Sequence, residues 1–143
     1  MSHPVVYQLS VFIENTSGRV SEVTRLLGEA AISIRGFSVS DTADYGILRL
    51  VVDKTAEAMG VLKNAGFTVR QDDVICIDLP DVPGGLAGVL RIVSDAGVNI
   101  EYVYSLVATY AVINVADVDR ALDLLVDRPV RLVDQDEISA VDL

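Results

Sequence analysis

Few residues in this 143-residue chain could do covalent chemistry, and their spacing argues against it. The one histidine, His3, stands three residues from the start, and the one cysteine, Cys76, lies between Ile75 and Ile77. A nucleophile needs its base within hydrogen-bond reach, and no Ser-His-Asp or Cys-His set falls in a plausible place. Cys76 reads as a small buried hydrophobe and His3 as an ordinary terminal residue. A disulfide framework and most Cys/His metal sites are excluded. Carboxylate pairs such as Asp72-Asp73, and Asp134 with Asp136 and Glu137, fall at turns and tails, where a solvated charge is the default. Gly84-Gly85 is not followed by the Lys-Ser/Thr of a phosphate-binding loop. The expectation is a non-enzyme with no catalytic residue, no metal and no cofactor. What recurs instead is a strand-glycine-helix junction, once at Gly18 and once at Gly84.

The recurrence extends far beyond the glycines. At a spacing of 66 residues Gly18 falls on Gly84, Val23 on Val89, Arg25 on Arg91, Ala30 on Ala96 and Ile34 on Ile100. Further on the spacing drops to 64, where Gln71-Asp72-Asp73-Val74 falls on Gln135-Asp136-Glu137-Ile138. The two residues are lost near Asp41-Thr42-Ala43-Asp44, a turn, which is where a repeat tolerates loss. Ordered apolar matches on both sides of one gap mark a tandem duplication.

Each copy carries the same succession of elements. Val5 to Ile13 is strand-like, Asn15-Thr16-Ser17-Gly18 is turn and cap chemistry, and Val20, Val23, Leu26, Leu27 and Ala30 recur at helical spacing. Two strands follow, Ile32 to Ser40 and Tyr45 to Val52, then a helix over Lys54 to Asn64 ended by Gly66, then a strand from Phe67 to Gln71. The second copy gives strand Val74 to Leu79, helix Leu86 to Ala96, strands Ile100 to Leu106 and Thr109 to Val115, helix Val118 to Val126 and strand Val130 to Asp134. This βαββαβ order predicts an α+β fold of two tandem ferredoxin-like units, residues 1-73 and 74-143. Each has an antiparallel sheet with its helices on one face. Strands such as Ile47-Leu48-Arg49-Leu50-Val51-Val52 are apolar at too many successive positions for a sheet wetted on one side. A partner on the second face or edge is therefore expected. Only Asp72-Asp73 joins the copies, so the units should be held rigidly, with their sheets joined or facing each other. The tail from Ile138 to Leu143 begins a third unit and stops. It reads either as a frayed end or as an added edge strand that supports a dimer.

Composition narrows the partners. Hydrophobic residues are 51% and mean hydropathy is +0.44, enough for a core and against disorder. Eleven Lys and Arg against 21 Asp and Glu leave a formal charge of -10, with no basic stripe for nucleic acid or an anionic membrane. No apolar run reaches the ~18 residues of a spanning helix, and Met1-Ser2-His3-Pro4 lacks a signal peptide's regions. A soluble, cytoplasmic protein is expected.

The segments Phe12-Ile13-Glu14-Asn15-Thr16-Ser17-Gly18-Arg19-Val20 and Leu79-Pro80-Asp81-Val82-Pro83-Gly84-Gly85-Leu86 resemble the strand-to-helix loop of the ACT domain family. Ala96-Gly97-Val98-Asn99-Ile100 resembles that family's approach to strand two, and Asn99-Ile100-Glu101-Tyr102-Val103-Tyr104 resembles small stand-alone proteins made of two ACT domains. The resemblance implies regulation by a free amino acid, as in phosphoglycerate dehydrogenase and aspartate kinase. There ACT domains pair side by side and hold the ligand between the loop after strand one and strand two of the neighbour. A glycine opening a helix lets a carboxylate approach unpaired N–H groups at the positive end of the helix dipole. The loop positions carried over are Asn15, Ser17, Gly18, Arg19 and Val20 in copy one. In copy two they are Asp81, Pro83, Gly84, Gly85 and Leu86, together with Asn99 and Ile100 on strand two. Gly18 and Gly84 would supply close approach, Asn15 and Asp81 the flanking polar groups, and Asn99 a ligand contact. Ser33 stands at that last position in copy one. Expected partners are the amino acid, a second copy of the chain, and a metabolic enzyme or regulator. Arg19 and Arg25 also read as solvated helix charges, and Tyr102 and Tyr104 as packing residues on one strand face. The rival reading is a dimerisation or protein-interaction scaffold whose ligand sites have decayed. Asn15-Thr16-Ser17 in place of a proline before Gly18, and Ser33 in place of Asn, lean that way.

Overall fold

The computed structural model describes residues 4–14, 16, 18–41 and 44–142. Unit one runs β1 (Val6–Glu14), α1 (Arg19–Glu29), β2 (Ile34–Asp41), β3 (Tyr45–Val52), α2 (Thr55–Asn64) and the first half of β4 (Thr68–Asp78). Unit two takes the second half of β4, then α3 (Gly85–Asp95), β5 (Ile100–Ser105), β6 (Tyr110–Val115), α4 (Val118–Leu125) and β7 (Arg131–Val133). A last helix, α5 (Gln135–Ser139), closes the chain. The βαββαβ pattern is present twice. In both units the first strand lies between the third and the fourth, so each sheet is the antiparallel ferredoxin-like one.

The joint between the copies is not a linker but the middle of β4. From Thr68 to Val74 this strand pairs with β1, and from Ile75 to Asp78 it pairs with β6 and β7. One continuous sheet results, in the order β2-β3-β1-β4-β6-β5. The position between residues 73 and 74, where the two copies meet in sequence, therefore falls inside a single strand.

That sheet rolls until its ends touch. Gly36 on β2 bridges Leu106 just beyond β5, and the Val107 N–H donates to the Arg35 carbonyl at 2.7 Å. Approach is so close that a Cβ on Gly36 would sit 2.0 Å from Leu106 Cδ2. The helices lie outside. Leu9, Val11, Leu48 and Leu50 face Val23, Leu27 and Leu62 in one core, and Ile75, Ile77 and Ile113 face Val93 and Leu122 in the other. A third core lies within the roll, where Val6, Val51, Val74, Cys76, Tyr104, Leu106, Val112, Val133 and Ile138 meet. The near-continuous apolar strands follow from this: Leu48, Leu50 and Val52 point to the helices while Val51 points into the roll. The expected covering of the second face comes from the other unit of the same chain.

The tail departs from both expectations. Ile138 is neither frayed nor on an edge strand; it is fully buried within α5. β7 and β1 lie end to end along one edge of β4, β7 against Cys76 to Asp78 and β1 against Thr68 to Val74. A longer β7 would collide with β1, so the chain leaves the sheet after Val133. Asp134 then caps α5 by accepting from the Glu137 N–H at 2.9 Å. The helix closes one mouth of the roll. Gln135 donates to the Val5 and Val52 carbonyls, and Arg35 donates to the carbonyls of Ile138 and Ser139.

Candidate functional site

The two strand-to-helix loops share one backbone device. Gly18 (φ +88°) and Gly84 (φ +84°) occupy the left-handed region as helix N-caps, and neither helix receives a side-chain cap bond. In unit two the Gly85 N–H turns back to the Val82 carbonyl, and the first helical bond runs from the Gly88 N–H to the Gly84 carbonyl. The N–H groups of Leu86 and Ala87 are left without a hydrogen-bond partner among the described residues. These are the donors a carboxylate needs. Gly85 has a packing reason: a Cβ there would sit 2.0 Å from the Pro80 carbonyl oxygen. Beside the loop lies a cleft of about 310 Å³ lined by Leu79, Pro80, Asp81, Val82, Leu86, Ser105, Ala108, Thr109 and Tyr110. Leu86 and Val82 expose their side chains there, 45% and 62%.

Unit one builds its counterpart differently. Arg19 stands where unit two has Gly85; its guanidinium lies over the Phe67 ring at 4.6 Å and pairs with Glu22 at 2.8 Å. With Phe12, Glu14, Tyr45 and Gly66 it lines a smaller cleft of about 250 Å³. Arg19 is thus more than a solvated charge, whereas Arg25 only pairs with Glu29 along an exposed helix face. Asn15 and Ser17 lie outside the described residues. Val20 is partly exposed on α1.

Asn99 and Ile100 stand away from these loops. They follow α3 at the end opposite Gly84, and eleven helical residues at 1.5 Å each separate the two by about 16 Å. Asn99 is exposed and borders a shallow cleft of about 150 Å³ with Asp117 and Arg120. Ser33, its counterpart, is also exposed; its N–H donates to Asp53 Oδ1 at 2.9 Å. One chain therefore brings neither Asn99 nor Ser33 to the glycine loop of its own unit.

A family model described as an ACT domain pair matches residues 4–141. The chain belongs to the ACT domain pair family. The crystal structure of protein BT0572 from Bacteroides thetaiotaomicron is 37% identical with a TM-score of 0.87, covering 97% of this chain and 99% of that one. The regulatory subunit of aspartate kinase from Thermus thermophilus, in its ligand-free form, superposes with a TM-score of 0.60 at 17% identity over 87% of this chain and 92% of its own. That of Thermus flavus gives 0.55 at 19% identity over 87% and 93%. These last two share the fold. No curated protein matches the chain significantly.

The rolled sheet of this ACT pair also holds a site that motif reading does not single out. The mouth opposite α5 opens into a cleft of about 480 Å³, lined by Arg49, Arg70, Asp72, Asp73, Glu101, Tyr102, Asn114, Val115, Ala116 and Val118. Tyr102, which lines it, belongs to a buried polar network: Gln8, 1% exposed, donates from Nε2 to the Tyr102 hydroxyl at 2.8 Å and accepts from the Tyr104 hydroxyl at 2.6 Å. Tyr102 carries the Arg49 guanidinium over its ring at 4.2 Å. The two tyrosines do pack on one strand face, their rings stacked with centroids 6.2 Å apart. Burial raises the Tyr104 phenol well above its usual range, so it stays a donor to Gln8. The only sequence signal for this cleft was polar residues on strand positions that should face inward.

Cys76 is buried, and desolvation, followed by the nearby Glu137 charge, pushes its thiol up to about 12. It is an inert core thiol at neutral pH. Among the described residues no His, Cys, Asp or Glu cluster could hold a metal, and no helix is long and apolar enough to cross a membrane.

Proposed function

We propose that this ACT pair is a non-catalytic sensor of a free amino acid, held between a strand-to-helix loop and strand two of a neighbouring unit. The observation that carries the reading is the opening of α3. Gly84 turns the backbone so that two first-turn N–H groups face outward with no side-chain cap, beside a cleft bordered by Asp81. The α-carboxylate would take those N–H groups and the α-ammonium the Asp81 carboxylate. Gly18, Arg19 and Val20 are the corresponding positions of unit one, and Asn15 and Ser17 belong with them by sequence.

Because Asn99 and Ile100 lie at the far end of α3 from Gly84, the strand two that completes this site would come from a neighbouring unit, either β2 of the same chain or a strand of a second copy. A homodimer is part of the proposal. Beyond the Gly36–Leu106 bridge the outer side of β2 pairs with no described strand, and with Phe37 and Val39 exposed at 65% and 46% it supplies an edge suited to self-association. The same apolar edge supports the scaffold reading should no ligand bind. The signal would pass to an enzyme or regulator in the cytoplasm.

The test is a thermal-shift panel of the twenty amino acids at 10 mM, combined with sedimentation. One amino acid should raise the melting temperature and need both its α-carboxylate and α-ammonium, so its amide and N-acetyl forms should fail. Gly84→Asn is the sharper variant, because Asn tolerates the left-handed backbone while its side chain fills the approach. No response to any amino acid, with a partner protein co-purifying, would replace the sensor with the scaffold.

A further inference from the structure

We propose that the open mouth of the rolled sheet is a second ligand site, for a small zwitterion, independent of the glycine loops. The cleft has the volume of a small-molecule pocket and lies at the end of a closed sheet, a usual place for one. Both units build it: Arg49 and Arg70 come from unit one, Glu101, Tyr102 and Asn114 from unit two. A ligand there would touch both halves of the duplication at once.

Arg49 is the receptor for the anionic end. Its guanidinium makes no ion pair with a described carboxylate, unlike those of Arg19, Arg25, Arg70, Arg91 and Arg131; Arg35 makes none either, but its guanidinium is taken up by the Ile138 and Ser139 carbonyls. The Arg49 guanidinium is nevertheless held in place, by the Tyr102 ring at 4.2 Å and by a bond donated from Nη1 to Ser40 Oγ at 3.1 Å. Tyr102 is in turn fixed through its hydroxyl by the buried Gln8, which Tyr104 also holds. A guanidinium held over a ring that is itself fixed by a buried amide, bonded through both its nitrogen and its oxygen, is preorganised for a carboxylate. The cationic end has its own partner. Glu101 lines the same cleft and is oriented by Asn114, whose Nδ2 donates to Glu101 Oε1 at 3.0 Å.

Net charge decides against a purely anionic ligand. At -10 the chain repels a phosphate or dicarboxylate on approach, whereas a zwitterion carries no net charge. At the opposite mouth α5 fills the opening and the polar groups are already taken: Arg35 donates to the Ile138 and Ser139 carbonyls, and Gln135 to those of Val5 and Val52.

The test uses the full-length ¹⁵N-labelled protein, titrated with each of the twenty amino acids, and with propionate, propylamine and inorganic phosphate as single-charge probes. The proposal expects at least one amino acid to shift the Asn114 side-chain amide and the Arg49 Nε–H signals. Propionate, propylamine and phosphate should each bind at least tenfold more weakly. Arg49→Gln should weaken that titration tenfold or more while leaving any response of the Gly84, Gly85 and Leu86 backbone amides intact. Arg49→Lys, which keeps the charge, should retain part of it. Shifts confined to the Gly84–Leu86 amides would overturn this site and leave the loop reading standing. Shifts at Asn114 that survive Arg49→Gln, or phosphate binding as well as the amino acid, would overturn it too. So would silence of the Asn114 and Arg49 signals towards every probe.

Discussion

Gln71-Asp72-Asp73-Val74 and Gln135-Asp136-Glu137-Ile138 are one pattern written twice, yet the first is strand and the second is helix. Val74 and Ile138 are both fully buried, and both in the core inside the roll. The pattern therefore fixes which residue is buried, not the backbone that buries it. Two differences decide the backbone. In unit one β1 offers an open edge for Gln71 to Val74, while in unit two the corresponding stretch of β4 is already occupied by β1. Immediately upstream, unit two has Asp134, which caps a helix, where unit one has Arg70, which cannot and instead pairs with Asp72.

The comparison breaks most severely at Ile138. Its side chain closes the roll, and Ile138→Ala should cost about 2–5 kcal/mol, the range for emptying a buried isoleucine site. Urea denaturation would measure it. A loss below about 1 kcal/mol would mean that α5 does not seal the roll. Next is the loop pair. Gly85→Ala drives a methyl onto the Pro80 carbonyl and should cost on the order of 2–3 kcal/mol. Arg19→Ala, at the same repeat position, removes a half-exposed ion pair and a ring contact and should cost about 1 kcal/mol. Equal costs would mean that the two loops are built alike after all.

These contrasts show how much the sequence carried. The duplication, the βαββαβ order and the helical and strand periodicities were all legible, because apolar spacing reports which face is buried. The shared β4 was not, since Phe67 to Gln71 and Val74 to Leu79 read as two strands around an acidic pair. Nothing local says that Asp72 and Asp73 stay in a ladder. The α5 helix was hidden for the reason just given: its strand partner is missing only once the fold is known. At the candidate sites the glycines were legible as helix openings. Gln8, Arg49 and Tyr102 were not, because a polar residue facing inward acquires meaning only when the sheet rolls to give it partners.

A smaller contrast lies in acid. Glu137 ties α5 to unit two through Arg131 and through the Tyr110 hydroxyl at 2.7 Å. The Arg131 bond first, then Tyr110, holds its carboxyl below the usual range. A lowered folded-state value means the stabilisation is present above the ordinary carboxylate value of about 4.3 and disappears as pH falls through the lowered one. Glu137→Gln should therefore be less stable than the parent protein at pH 7, and the gap should close towards pH 3. A gap independent of pH would assign the loss to packing.

The smallest effect has the opposite sign. Ala31 and Gly97 are equivalent positions just beyond α1 and α3, and both take a left-handed backbone, φ +58° and +83°. Each closes its helix by donating an N–H back three residues, Ala31 to Gly28 and Gly97 to Ser94, so the turn is required in both copies. Only unit one holds an L-residue there. The left-handed region costs such a residue about 1–2 kcal/mol. Glycine escapes that cost but gives back roughly 0.5–1 kcal/mol through its freer unfolded chain. The balance predicts that Ala31→Gly stabilises by about 0.5–1 kcal/mol and Gly97→Ala destabilises by a similar amount. Both positions are solvent-exposed and a Cβ on Gly97 would meet nothing within 4 Å, so no packing change should mask the result. In a chain of this size each shift is on the order of 2–4 °C in Tm per kcal/mol, within reach of calorimetry. Making both changes together should return the protein close to its starting stability, because the two turns lie in different units and share no partner. If Ala31→Gly gave no gain, unit one would be relieving its turn elsewhere. The bond from Lys54 Nζ to the Ala31 carbonyl at 3.1 Å would be the first contact to remove next.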